Sequence, residues 1–239
     1  WKTSLLDIPY GGGKGGIGVD PSKYSRTELE RMSRNFFRAI DPIIGVNIDI
    51  PAPDVGTNSN IMDIMTDEYL KINPYGLLPT LKFPSGIILN QSLAILEYLD
   101  EVYPTPSILP LNPIDRAKVR SMAYAIALEI HPLNNLHVLN HLKDDFMADE
   151  VRIKSWFSKW VHKAFLPFEK VLEDDKEKGH YCFGDTPTLA DICLFSQVVN
   201  NARFDVDLSK YPNIKKIYEH CLTNDSFVKA LPKNQPDAE

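Results

Sequence analysis

From Asn112 to the end, the sequence carries helix signals and no strand signal, and this limits the fold more than any other feature. Asn112-Pro113 reads as an N-cap followed by proline at the first helical position, where its missing N–H costs nothing. Val119, Met122, Ile126 and Ile130 then recur at helical spacing as one apolar stripe. A helix is expected over about 150–174, with Trp156, Trp160 and Phe168 facing inward. Thr188 and Asp191 have the spacing of a capping box. They open a largely apolar helix through Cys193, Leu194 and Val198. Tyr211-Pro212 precedes a last helix at about 212–222. Ile126, Ile130, Trp160, Leu189 and Leu194 are the expected core.

The chain before this bundle has a different style. Residues 1–68 hold 8 of the 12 glycines and none of the 6 histidines, which sets a domain boundary near residue 69. The first segment reads as loop, helix, loop, helix. Ser25 and Glu28 form a capping-box pair, and Leu29, Met32, Phe36 and Ile40 give an amphipathic helix over about 26–41. Ile43–Ile50 reads as a strand and Pro51-Ala52-Pro53-Asp54 as a rigid turn. The middle segment, about 69–104, reads as strand, strand, helix. Leu77–Phe83 is a strand interrupted at Pro79, Pro84-Ser85-Gly86 is a turn, and Ile87–Asn90 is the second strand. Ser92 is expected to cap a helix carrying Leu93, Leu96, Leu99 and Val102. The fold class is therefore α/β plus all-α, with a small α/β part followed by a helical bundle.

Charge narrows the function. With 26 basic against 32 acidic residues the net charge is −6, a poor match to nucleic acid or to an anionic membrane surface. No apolar run approaches the roughly 18 residues of a membrane span. No basic-then-apolar leader opens the chain, so a cytoplasmic location is expected, and a start at Trp1 instead of methionine reads as a fragment. Cys182, Cys193 and Cys221 are sparse and lack CxxC spacing, so reduced thiols and no metal site are expected.

The run Gly11-Gly12-Gly13-Lys14-Gly15-Gly16-Ile17-Gly18 matches GxGxxG twice, but no clear strand precedes it and no helix follows directly. As backbone it is a flexible turn, or a bare cradle around a lysine. Together with Trp1-Lys2-Thr3, Ile8-Pro9-Tyr10 and Pro51-Ala52-Pro53-Asp54-Val55-Gly56-Thr57, it resembles the substrate domain of glutamate dehydrogenases over residues 1–68. That resemblance implies that Lys2 holds a substrate carboxylate, Lys14 is the catalytic lysine and Asp54 shuttles a proton. No βαβ unit or glycine fingerprint follows, so no NAD is expected.

A second resemblance runs from Tyr69 to the end. Asn73-Pro74-Tyr75-Gly76-Leu77-Leu78-Pro79-Thr80-Leu81 and Asn90-Gln91-Ser92-Leu93-Ala94-Ile95-Leu96-Glu97-Tyr98-Leu99 resemble the glutathione-binding half of a glutathione transferase. His131-Pro132-Leu133-Asn134-Asn135-Leu136, Phe183-Gly184-Asp185-Thr186-Pro187-Thr188-Leu189-Ala190-Asp191 and Asn201-Ala202-Arg203-Phe204 are similar to the zeta class, the maleylacetoacetate isomerases. The resemblance implies a cis-proline at Pro79, with the Leu78 backbone pairing with the cysteinyl part of glutathione. It puts Gln91 and Ser92 at the γ-glutamyl carboxylate, where a helix start favours an anion. It makes Arg203 the grip on a substrate carboxylate and puts Asn134 among the ligand-binding residues. It also implies a small dicarboxylate substrate, and it allows a homodimer.

Each of these residues also has an ordinary structural role open to it. Gln91-Ser92 can be a plain helix cap, Arg203 a surface ion pair, and His131 a helix-end histidine. The domains expected are 1–68, dehydrogenase-like; 69–104, the second half of a thioredoxin-like unit; and 105–239, the helical domain. The family's serine/cysteine-rich turn, which activates the glutathione sulfur, has no counterpart, because no Ser-Ser-Cys run occurs. The chain thus reads as a chimera with isomerase activity impaired. A glutamate dehydrogenase fragment and a non-catalytic binding protein are the alternatives.

Overall fold

The structure is a computed structural model that describes residues 17–40, 59–175 and 179–234. It forms two compact units that divide between Ile95 and Leu96. Lys2, Lys14, Asp54 and the strand expected at 43–50 lie outside the described residues.

In the first unit, helix α1 (Arg26–Ile40) starts as its sequence demands. The Ser25 N–H donates to Glu28 Oε2 at 2.8 Å and the Glu28 N–H donates back to Ser25 Oγ at 3.3 Å. Helix α2 (Ser59–Ile72) packs on α1 and runs through residue 69 without a break. Glu68, only 4% exposed, joins the two helices. It accepts from Arg34 Nη1 at 3.0 Å, from Arg38 Nε at 2.8 Å and from Lys71. The Lys71 ammonium and the two guanidinium groups pull its carboxyl down to about 2.

Strands β1 (Thr80–Lys82) and β2 (Ile88–Asn90) pair antiparallel, with Thr80 opposite Asn90 and Lys82 opposite Ile88. The connecting turn places Gly86 at φ 86°, a conformation that favours glycine. The first strand is shorter than the expected Leu77–Phe83. Pro79 has no N–H for a ladder, and side chains take up the Leu77 carbonyl before it.

Helix α3 (Ser92–Val102) corrects one expectation. Ser92 is not its cap. The Ile95 N–H bonds to the Gln91 carbonyl at 3.0 Å, so Gln91 holds the cap position and Ser92 is the first helical residue. The four residues Leu93, Leu96, Leu99 and Val102 that the helix carries do not share its buried face. Ile95 is the buried residue at 9% exposed, while Leu99 and Val102 are 37% and 45% exposed. Each three-residue step falls about 60° short of a turn, so such a series winds off any one face within three steps.

The second unit contains helices α4 (Pro113–Ala127), α5 (Leu136–Asp144), α6 (Glu150–Asp174), α7 (Leu189–Asn201), α8 (Pro212–Cys221) and α9 (Asp225–Lys229). Helix α7 packs on both α4 and α8. Val119, Phe157, Val161, Leu189 and Ile214 are completely buried. The Asn112 side chain caps α4 as expected, accepting from Ile114 and Asp115 N–H groups. Asp191 closes its capping box with Thr188 and reaches further. One carboxylate oxygen accepts from the Thr188 N–H and hydroxyl at 2.8 and 2.7 Å, the other from the Cys182 N–H at 2.7 Å. Helix α8 has no cap from Tyr211; Glu169 on α6 accepts from its Asn213 and Ile214 N–H groups at 2.7 and 3.0 Å. The helix at 212–221 is not the last, since α9 follows it. Trp156 and Trp160 are half-buried, not core residues, whereas Phe168 is buried. Among the described residues, no helix is long and apolar enough to cross a membrane.

Candidate functional site

The hairpin brings four of the sequence-predicted residues together. Because Thr80 faces Asn90, Leu78-Pro79 before β1 and Gln91-Ser92 after β2 leave the same end of the two-stranded sheet. The Leu78–Pro79 peptide bond is cis, and Leu78 is 67% exposed. Among the described residues, the Leu78 backbone N–H and C=O have no partner. Gln91 sits at φ 72°, in the left-handed region, which turns the chain sharply from strand into helix. Gln91 and Ser92 are exposed, and the first N–H groups of α3 have no carbonyl within the helix to bond. An exposed amide side chain, a hydroxyl and a helix start thus sit beside a backbone at Leu78 that has no partner among the described residues. Such a set can hold a carboxylate at one point and a peptide-like backbone at the other.

A network that the sequence reading did not single out supports this end of the hairpin. Asn73, completely buried, donates from Nδ2 to the Leu77 carbonyl at 2.7 Å and to Thr80 Oγ1 at 2.9 Å. Its Oδ1 accepts from the Tyr75 N–H at 3.1 Å. The available signal was an asparagine just past a helix, followed by proline, with a tyrosine four residues before it.

The other two predicted residues belong to the helical unit. Arg203 lies in the short turn Ala202–Phe204 after α7 and is exposed. Among the described residues its side chain makes one long contact, from Nη1 to Asn200 Oδ1 at 3.4 Å, which leaves most of its donors open there. Asn134 lies inside the helical unit, and its Oδ1 is buried with no partner among the described residues. It is 5% exposed and its Nδ2 donates to the Phe157 carbonyl on α6 at 3.0 Å. None of the three cysteines offers a thiolate. Burial pushes Cys193 and Cys221 up to about 12 and Cys182 well above its usual value.

Comparison with known proteins agrees with this division. Residues 53–102 match the glutathione S-transferase N-terminal domain and residues 134–230 the C-terminal domain of that family. Maleylacetoacetate isomerase of Dictyostelium discoideum is 44% identical over 174 residues, which are 73% of this chain and 78% of that protein. The chain belongs to the maleylacetoacetate isomerase family, the zeta class of glutathione S-transferases. Among solved structures, a holo maleylpyruvate isomerase of the zeta class is 37% identical with a TM-score of 0.72, covering 87% of this chain and 95% of that one. A maleylacetoacetate isomerase of Methylobacterium extorquens, solved with malonate and glutathione, is 30% identical with a TM-score of 0.69, covering 88% and 97%. The fold is accordingly that of a glutathione transferase, a thioredoxin-like domain followed by a helical one. Residues 1–71 match a different family, the dimerisation domain of Glu/Leu/Phe/Val dehydrogenases.

Proposed function

We propose that this protein is a glutathione-dependent cis–trans isomerase acting on a small unsaturated dicarboxylate of the maleylacetoacetate or maleylpyruvate type. The observation that carries the reading is the 44% identity to a maleylacetoacetate isomerase over 174 residues, which include the cradle at Leu78, Pro79, Gln91 and Ser92. The cradle suits glutathione: a Leu78 backbone without a partner among the described residues for its peptide, and a helix start with Gln91 and Ser92 for its γ-glutamyl carboxylate. Glutathione, when bound, supplies a thiolate whose reversible addition to a double bond permits rotation. The chain's own part is to hold and orient. Leu78 fixes the cysteinyl backbone, Gln91 and Ser92 fix the anionic end, and Arg203 grips a carboxylate of the substrate through its open donors.

We further propose that the chain is composite, with 1–68 dehydrogenase-like, 69–104 completing the glutathione-binding domain and 105–239 helical. The overlap of the two family matches over residues 53–71 supports a junction within that stretch. Lys2, Lys14 and Asp54 are then remnants without a nicotinamide partner. Turnover is low, because a missing donor to a developing anion costs roughly 10²–10³ in rate. The test is calorimetric titration with glutathione alongside an isomerase assay. Retention of glutathione with slow isomerisation, lost further in Arg203→Ala through a KM raised about tenfold, is the expected result. Absence of any glutathione binding would sink the reading. Saturable NAD binding would favour the dehydrogenase alternative.

A further inference from the structure

We infer that Asn73 is the positioning residue of the glutathione cradle, acting through the Thr80 hydroxyl to lock its two halves to each other. This rests on the proposed glutathione site and names what holds that site in shape.

The proton arrangement is directional. Asn73 Oδ1 is fixed as acceptor by the Tyr75 N–H at 3.1 Å, so Nδ2 must point the other way, at the Leu77 carbonyl and Thr80 Oγ1. Thr80 Oγ1, receiving from Asn73, donates to Asn90 Oδ1 at 3.1 Å when Tyr69 OH is the donor in the 2.8 Å Tyr69–Thr80 bond. Tyr69 OH lies 3.1 Å from the Leu77 carbonyl and 2.8 Å from Thr80 Oγ1, and it closes the cluster from α2. One end of this relay therefore clamps the carbonyl next to Leu78, and the other clamps the side chain next to Gln91. Two cradle elements, one before β1 and one at the end of β2, are tied by a single buried amide. Since Asn73 is completely buried, its donors have no water to fall back on. Neither Asn73 nor Thr80 is assigned a contact with ligand. Each fixes the residues that are.

The substitutions Thr80→Val and Thr80→Ser separate this role from plain packing. Valine keeps the shape, suits a strand better and loses the hydroxyl. Serine keeps the hydroxyl and loses the methyl. If Thr80 merely packs, Thr80→Val is the milder change. If it relays, Thr80→Ser is milder. Two measurements are made on the full chain: amide hydrogen exchange at residues 77–81 and 90–93, and calorimetric titration with glutathione. Thr80→Val is expected to speed exchange in both segments together and to weaken glutathione binding about tenfold, with Thr80→Ser within about twofold of wild type. Asn73→Asp, equal in size but without donors, is expected to match Thr80→Val. Faster exchange in only one segment, or Thr80→Ser worse than Thr80→Val, overturns the inference. Should wild type fail to bind glutathione while Thr80→Val still loosens both segments, the positioning role stands and the assigned ligand falls.

Discussion

The two units are held together by different physics. Of the buried apolar residues among those described, Phe37 and Ile95 belong to the first unit, and the long series from Leu109 to Leu231 belongs to the second. The helical unit is built on burial, which scales with apolar area and needs little geometric precision. The described part of the first unit is built on polar pinning: Glu68 among three cations between α1 and α2, and Asn73 among the loops of the hairpin. Polar pins fix geometry well but fail abruptly when one partner is lost. The cradle proposed for glutathione sits beside one of these polar pins, the buried Asn73.

The largest effect should come from a place where the helical unit also depends on a polar pin. Asp191 is completely buried and accepts three hydrogen bonds, from the Cys182 and Thr188 N–H groups and the Thr188 hydroxyl. Asp191→Ala leaves those donors unsatisfied in the interior. A loss of about 3–5 kcal/mol is expected in denaturant unfolding. A loss below about 1 kcal/mol would mean that apolar burial alone secures this unit.

Gln91→Ala comes next. It removes an exposed side chain at the start of α3, so the fold should keep its stability. Glutathione binding should weaken by about 1–3 kcal/mol, roughly tenfold to a hundredfold. Identical titrations for variant and wild type would place the ligand elsewhere.

How far these features could be read from the sequence follows the same division. The Ser25–Glu28 and Thr188–Asp191 boxes, the Asn112-Pro113 start and the long helix ending at Asp174 were all legible, because caps and periodicity are local. The hairpin was legible through its turn and through Pro79. Three things were not. The exposure of Leu99 and Val102 depends on which neighbours cover α3. The burial of Asn134 depends on α6, reached more than twenty residues later. The cap of α8 comes from Glu169, 44 residues before Asn213. Each is a long-range contact with no local mark. The cradle residues were read from family likeness, and the network behind them was missed because its members are individually ordinary.

Acid should separate the units more gently. Glu68 has its carboxyl pulled below the usual 4.5 to about 2 in the fold. Its contribution is therefore complete above 4.5 and is lost as pH falls from there toward 2. Protection factors from amide exchange in α1 and α2 should drop across that window while those of α7 hold. In Glu68→Gln the drop should vanish, because protection between α1 and α2 is already reduced at neutral pH. A wild-type profile flat from pH 5 to about 2 would show that the cations do not pin the pair.

The smallest expected effect compares two tryptophans one turn apart on α6. Trp156 Nε1 donates to the Leu133 carbonyl at 2.9 Å, whereas Trp160 Nε1 is buried with no partner among the described residues. Their rings meet edge-on with centroids 5.6 Å apart, and Lys163 lies 4.8 Å from the centre of the Trp160 ring. Replacement by phenylalanine removes similar apolar area at each position. At Trp156 it also breaks a hydrogen bond and leaves a carbonyl unpaired. At Trp160 it removes a donor whose burial was already uncompensated. Trp156→Phe should therefore cost about 1 kcal/mol more in unfolding free energy than Trp160→Phe, which should lie near zero. Equal losses would mean that the Trp160 N–H finds a partner in solution, and that this stretch of α6 faces something other than its own unit.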